Sequence, residues 1–138
     1  MHDIATLVKY PVHCVPDVRL LIAEQASRIV GTVQLHLAAR SNARHRAEVA
    51  KLLVHPDVQR RGIGRRLMLK VEQAARREQR SLLVLDTRLG DGSNDLCHAL
   101  GYSECGRIPG YARSASGRLD TTVLFYKSLD SVARISSC

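Results

Sequence analysis

A glycine-containing turn joins an apolar strand to an amphipathic helix in the middle of the chain. The strand is predicted over residues 47–56, and the turn contains Gly62 and Gly64. The apolar residues that follow recur at helical spacing: Ile63, Leu67, Met68, Val71, Ala74 and Ala75. Residues 81–87 are mostly apolar and predict a buried strand. A strand, a crossover helix and a second, parallel strand form a right-handed unit, so an α/β domain with a mixed sheet is expected.

The segments on both sides of this unit have the composition of further strands and one more helix. Strands are predicted over residues 19–24, 27–38, 101–108 and 121–129, a short helix over residues 90–100, and a loop over residues 108–119. The short link between the first two predicts an antiparallel hairpin. Asp91 or Ser93 is the expected cap of the short helix. Strict alternation in the strand 47–56 would place Glu48, Ala50, Leu52 and Val54 on one face.

The length and composition fit one globular domain over residues 1–138. Hydrophobic residues make up 45% of the chain and charged residues 25%, which is typical of soluble proteins. No apolar run is long enough to span a membrane, and the N-terminal residues lack the apolar core of a signal peptide. The four cysteines and six histidines do not have zinc-site spacing. A cytoplasmic protein without a metal is therefore expected.

Four arginines crowd the start of the predicted helix: Arg60, Arg61, Arg65 and Arg66. They repel one another and oppose the helix dipole, whose N-terminal end is already positive. A bound anion resolves this conflict, and glycines let backbone N–H groups approach a phosphate. On its own, however, a single G-x-G turn is more often a plain loop beside a basic, solvated helix face. The turn matches neither the dinucleotide fingerprint nor the P-loop.

The stretch "LLVHPDVQRRGIGRRLM" resembles the acetyl-coenzyme A (acetyl-CoA) signature of the GNAT N-acetyltransferases, Q/R-x-x-G-x-G/A, with the signature read over residues 59–64. The later segments "LDT", "ALGY", "IPGYA" and "FYKSL" resemble a GNAT branch that includes tabtoxin-resistance acetyltransferases. The resemblance covers about residues 19–129. It leaves residues 1–18 as an atypical N-terminal segment and 130–138 as a tail. The expected fold is therefore GNAT-like without the usual first strand–helix–helix unit.

The resemblance implies that acetyl-CoA is the co-substrate. The acetyl group would move to a primary amine of a small polar molecule by direct attack on the thioester. Pantetheine would pair with the exposed backbone of the strand before the turn, and the pyrophosphate would sit on the turn. The implied cofactor-binding residues are Leu52, Leu53, Val54, Gln59, Arg60, Arg61, Gly62, Ile63, Gly64 and Arg65.

The reaction needs a group that accepts a proton from the amine. Glu48 lies on the strand before the turn, at a place where a carboxylate could face the acceptor amine, and it is the expected base. The alternative for Glu48 is a structural ion pair with Arg44 or Arg46. Asp86 ends the next strand and is the second candidate, although a cap or a salt bridge would also explain it.

The reaction also gains from an acid that protonates the departing thiolate. In the family this acid is a tyrosine in the helix before "LGY", and Cys97 stands at that position here. Cys97 is thus either the acid or a small core residue. Tyr102 is expected in the core, and Tyr111, in the Pro/Gly segment, is expected to line the acceptor site.

Two other functions compete with an active enzyme. One is a catalytically impaired, acetyl-CoA-binding or regulatory remnant, favoured by Cys97 and by the short N-terminal segment. The other is a basic nucleic-acid-binding module, suggested by the net charge of +8 but weakened by the absence of a nucleic-acid-binding signature. The missing first unit would leave residues 19–24 as an exposed edge strand. A homodimer in which the partner, or an exchanged terminal segment, forms a wall of the acceptor site is therefore expected. The alternative is a monomer in which a short strand from residues 1–18 folds back on its own sheet.

Overall fold

The computed structural model describes residues 16–129 and the backbone of a strand at Leu7–Lys9. The rest of the N-terminal segment and the 130–138 tail lie outside the described residues. The strands are β1 (Leu7–Lys9), β2 (Val18–Gln25), β3 (Arg28–Leu37), β4 (Arg46–Val54), β5 (Leu82–Arg88), β6 (Ser103–Arg113) and β7 (Leu119–Ser128). The helices are α1 (Ile63–Arg77) and α2 (Ser93–Ala99), with short 3₁₀ turns at Ser41–Ala43 and Pro56–Val58.

The seven strands form one mixed sheet in the order β1-β2-β3-β4-β5-β7-β6. Every neighbouring pair is antiparallel except β4 and β5, which are parallel and connected through α1. The predicted hairpin and the predicted β–turn–α–β unit are thereby confirmed, and so is the mixed α/β fold. The β4–β5 ladder has only three pairs, from Arg46 opposite Leu82 to Glu48 opposite Val84, and beyond them the two strands separate.

Helix α1 buries the apolar face that its sequence period predicts, because all six of its predicted apolar positions are buried. It packs on β2, β3 and β4. Gly31 on β3 permits this close approach, since a Cβ atom there would lie 2.9 Å from Cδ1 of Leu67. Leu96 of α2 lies against the start of the same helix, so both helices cover one face of the sheet, the core face.

The opposite face, called here the open face, is not covered by a helix of residues 16–129. Its side chains follow from the strand registers and include Leu20, Gln34, His36, Glu48, Leu53, Val84, Asp86, Arg88, Leu124 and Tyr126. The mixture of carboxylates, an imidazole and apolar groups is typical of a surface that meets a ligand or another chain. Leu53 is 65% exposed.

The predicted alternation along β4 is wrong after Ala50. Lys51 has a left-handed φ of 57° and forms a bulge opposite β3. Because a bulge adds one residue to one strand, it reverses the facing of the residues after it. Leu52 and Val54 therefore pack against the core, while Glu48 and Ala50 lie on the open face.

Two further boundaries differ from the sequence predictions. Helix α2 begins after Gly92 and has no side-chain cap hydrogen bond, so neither Asp91 nor Ser93 is its cap. Residues 108–113 belong to β6 rather than to a loop. β6 is the last strand of the sheet, where Pro109 costs no ladder hydrogen bond, and the register shift between Ile108 and Ala112 accommodates it.

Strand β2 is not an edge strand over residues 22–24, in agreement with the alternative that an N-terminal strand folds back on its own sheet. Leu7–Lys9 pairs with it antiparallel, from Leu7 opposite Glu24 to Lys9 opposite Ile22. The main-chain edge of residues 22–24 is thereby paired within the same molecule.

A buried polar cluster that the sequence did not predict fastens α1 to the far half of the sheet. Lys127 Nζ lies 3.1 Å from both carboxylate oxygens of Glu72, and Tyr102 donates to the same carboxylate at 2.9 Å. Lys127 also donates to the Leu100 carbonyl oxygen. Tyr102 is confirmed as a core residue, and burial together with the Glu72 charge raises its pKa. In the part of the chain that the structure describes, neither helix is long and apolar enough to cross a membrane.

Candidate functional site

The separation of β4 from β5 creates an opening that we call the donor opening. Residues 49–52 of β4 form one wall, residues 85–88 of β5 the other, and Leu96 and Cys97 of α2 close one end. Its cavity measures about 210 Å³. Past Glu48 the main chain of β4 has no partner strand on this side, so backbone groups of the segment 52–54 face a gap rather than β5. An extended ligand could therefore use them.

The glycine turn connects this strand end to α1. Gln59 Nε2 donates to the carbonyl oxygen of Val54 at 3.2 Å and so fixes the start of the turn. Arg60 and Gly62 have left-handed φ values of 65° and 82°. Gly62 is the N-cap of α1 and provides no side-chain cap. No residue of the described chain accepts a hydrogen bond from the backbone N–H groups of residues 60–65.

Three arginines of the turn, Arg60, Arg61 and Arg65, are exposed. Within residues 16–129, Arg60, Arg61 and Arg65 form no ion pair. Free N–H groups, a helix N-terminus and uncompensated positive charge thus converge at one end of the donor opening. Together they have the donor set that a pyrophosphate requires.

The two candidate carboxylates lie on the open face of adjacent strands. Glu48 is opposite Val84 in the parallel ladder, and Asp86 lies two residues further along β5. Glu48 is exposed and makes no ion pair with a described residue, so the expected alternative pairing with Arg44 or Arg46 is not formed. Asp86 lines the donor opening, whereas Glu48 lies just before it.

Asp86 has one hydrogen-bond partner that the sequence did not indicate. Thr122 of β7 donates to Asp86 Oδ2 at 2.9 Å, and the carboxylate forms no ion pair within the described ranges. The sequence distance of 36 residues between the two concealed this contact. The other carboxylate oxygen of Asp86, Oδ1, is thus available to a ligand.

Cys97 is buried and lines the donor opening, which confirms it as a small core residue, while its role as the acid stays a prediction. Its side chain belongs to the core, with 2% exposure. Burial raises the pKa of the Cys97 thiol from 9.0 to about 11. The thiol is therefore protonated at neutral pH, and burial makes it a weaker acid than an exposed cysteine.

A second cavity, called here the acceptor cavity, adjoins the first at the end of β5. Its volume is about 260 Å³, and the β6–β7 hairpin forms its other wall. Tyr111 lines it with its side chain 54% exposed. Asp86, Thr87 and Arg88 line both cavities, so the two spaces are neighbours along β5. No group of three or more metal-ligating side chains occurs in the described part of the chain.

A family model described as the acetyltransferase (GNAT) family matches residues 5–102. An IAA acetyltransferase from Azospirillum brasilense is 32% identical over 85 residues, which are 62% of this chain and 50% of that protein. The chain thus spans half the length of this relative.

Solved structures show the same fold. An acetyltransferase from Salmonella typhimurium, in a structure with its cofactor acetyl-CoA, has a TM-score of 0.74 and 23% identity, covering 83% of this chain and 66% of that one. The ribosomal-protein-S18-alanine N-acetyltransferase from Escherichia coli has a TM-score of 0.72 and 18% identity, covering 84% and 72%.

Proposed function

The chain belongs to the GNAT acetyltransferase family, and on this basis we propose that it moves an acetyl group from acetyl-CoA to the primary amine of a small polar molecule. One observation supports this best. Beside Leu96, which lines the donor opening, lies a turn at which the backbone N–H groups of residues 60–65 have no hydrogen-bond partner, and Arg60, Arg61 and Arg65 no ion-pair partner, among residues 16–129. A ligand with an extended polar arm and a pyrophosphate fits that arrangement.

The residues that would hold acetyl-CoA are those of the strand end and the turn. The main chain of Leu52, Leu53 and Val54 would pair with the pantetheine arm. The amides of residues 60–65 would bind the pyrophosphate. When bound, acetyl-CoA supplies a thioester carbonyl: the amine nitrogen bonds to it while its carbon–sulfur bond breaks.

The open face would supply the groups that act on the amine. Asp86 is placed to attract the ammonium form through its available carboxylate oxygen. Glu48, on the neighbouring strand, would accept the proton through water and leave a nucleophilic amine. Cys97, at the closed end of the donor opening, would give a proton to the departing thiolate and regain one from solvent.

Two measurements test this function. Calorimetric titration with acetyl-CoA is expected to show one site per chain, and thiol release with a panel of small amines is expected to exceed the rate without amine. Binding without amine-dependent thiol release would favour the impaired or regulatory remnant. Failure to bind acetyl-CoA, together with salt-sensitive binding to DNA or RNA, would favour the nucleic-acid-binding module.

We also propose a homodimer, on the basis of the apolar side chains exposed on the open face. β1 pairs with residues 22–24 of β2, which reduces the exposed edge, but the open face carries exposed apolar side chains, including Leu53, Ile108 and Tyr126. A second copy of the chain that covers this face would form an additional wall of the acceptor cavity. Sedimentation at micromolar concentration is expected to show a two-chain species, and a monomer with full acetyl-transfer activity would contradict the shared wall.

A further inference from the structure

Charged side chains of β5 and β7 line the acceptor cavity. Its lining contains Asp86, Arg88 and Asp120 on the open side of β5 and β7. Asp120 is only 14% exposed and lies 4.0 Å from Arg88 and 3.8 Å from Arg118. Two cations thus flank Asp120, whereas no cation of residues 16–129 pairs with Asp86, so Asp86 is the stronger site for a cationic ligand.

Asp86 and Arg88 are side by side on the same face of β5. Residues two apart on a strand share a face and are separated by roughly 7 Å along it. Both line the acceptor cavity and the donor opening. A small molecule that touches both would lie at the junction of the two cavities, within reach of a bound thioester.

Arg88 has hydrogen-bonding capacity to spare. Its nearest carboxylates are those of Asp91 at 3.9 Å and Asp120 at 4.0 Å, both longer than a hydrogen bond. In residues 16–129 its guanidinium donates no hydrogen bond. A guanidinium has five donors in a planar fork that matches a carboxylate. Arg88 is therefore held near its place by two distant charges while its donors remain available.

An unpaired carboxylate beside a guanidinium whose donors make no hydrogen bond matches a ligand with the opposite pair of charges. We infer that the acceptor is a zwitterion of the α-amino acid class, whose amine contacts Asp86 and whose carboxylate is bound by Arg88. This inference rests on the proposed function and specifies its substrate. A diamine would bring its second cation against Arg88. The cavity volume of about 260 Å³ also favours a ligand smaller than a drug-sized molecule.

Matched acids and amides test the inference. The probes are L-alanine, L-serine, L-methionine and L-glutamate, each compared with its α-carboxamide, which keeps the size and removes the charge. At least one acid is expected to have a kcat/KM about 10- to 100-fold above that of its amide, the range for a hydrogen-bonded charged group. Amine basicity cannot create this preference, because the amide amine is the more easily deprotonated. Equal values, or a preference for the amides, would overturn the inference.

Two arginine variants test whether Arg88 causes the preference for the acid over its amide. Arg88→Gln is expected to reduce the acid-to-amide ratio to about one. Arg118→Ala is the control, because Arg118 also neighbours Asp120 but is 84% exposed and does not line the cavity. The control is expected to keep the wild-type ratio. If Arg88→Gln lowers kcat/KM equally for the acid and for its amide, Arg88 does not bind the substrate carboxylate.

A binding measurement separates this inference from the proposed function. If no amine releases thiol, the transfer function fails, but acid and amide binding to the CoA-loaded protein is still measurable by calorimetry. Tighter binding of an acid than of its amide, abolished in Arg88→Gln, would support the zwitterion site by itself. If none of the four acids binds with a dissociation constant of roughly 1 mM or tighter, the inference is overturned.

Discussion

Replacing Gly62 with aspartate is expected to weaken acetyl-CoA binding by about 100-fold or more, which corresponds to about 2.7 kcal/mol. Gly62 has a φ of 82°, and a side chain there is strained whatever space surrounds it. The aspartate would also bring a negative charge to the N–H groups of the turn, where the pyrophosphate is proposed to bind. Calorimetry on the folded variant measures the affinity.

Two companion variants separate charge from backbone strain. Gly62→Asn has nearly the same shape and tolerates a left-handed φ without the charge, so it is expected to bind acetyl-CoA better than Gly62→Asp. Gly64→Ala is the steric control, since its Cβ would lie 3.5 Å from Leu96 Cδ2, an ordinary contact. Wild-type affinity in Gly62→Asp would exclude this turn as the phosphate site. Wild-type binding is also expected to weaken with salt, because exposed arginine–phosphate attraction is screened.

Replacing Glu48 with glutamine is expected to lower kcat/KM by about 10²-fold, the lower end for loss of a general base. The change keeps size and removes the group that accepts the proton. Acetyl-CoA affinity is expected to remain unchanged, because Glu48 lies on the open face and outside the turn. The pH dependence of kcat/KM, measured with saturating acetyl-CoA, is the readout.

Asp86→Asn is the matched comparison on the neighbouring strand. If Asp86 attracts the ammonium group and Glu48 accepts the proton, Asp86→Asn is expected to act mainly on KM and Glu48→Gln mainly on kcat. A Glu48→Gln variant with wild-type turnover across the pH range would instead assign the base to Asp86.

Local sequence patterns predicted the parts of this fold that depend on short-range physics. The helical period of α1 was confirmed at all six apolar positions, because one buried stripe requires that spacing. The β–turn–α–β unit followed from the same signal. The turn with its arginines was visible because its composition contradicts what the stability of an isolated helix requires.

The features that sequence patterns missed depend on contacts between distant residues. The bulge at Lys51 arises from the pairing of β4 with β3, and no residue type in "AEVAKLLV" marks it. The burial of Glu72 depends on Lys127, 55 residues away. The extension of β6 through Pro109 depends on its being the outermost strand, which only the strand order reveals.

The three-pair ladder between β4 and β5 has a consequence for how such a protein can diverge. The donor opening is a product of main-chain geometry: two strands separate, and a turn presents its amides. The apolar side chains along it can change without removing the main-chain hydrogen-bonding groups. The open face is different, because its chemistry resides in side chains such as Asp86 and Arg88. A few substitutions there would give a new acceptor preference while the donor half stayed intact.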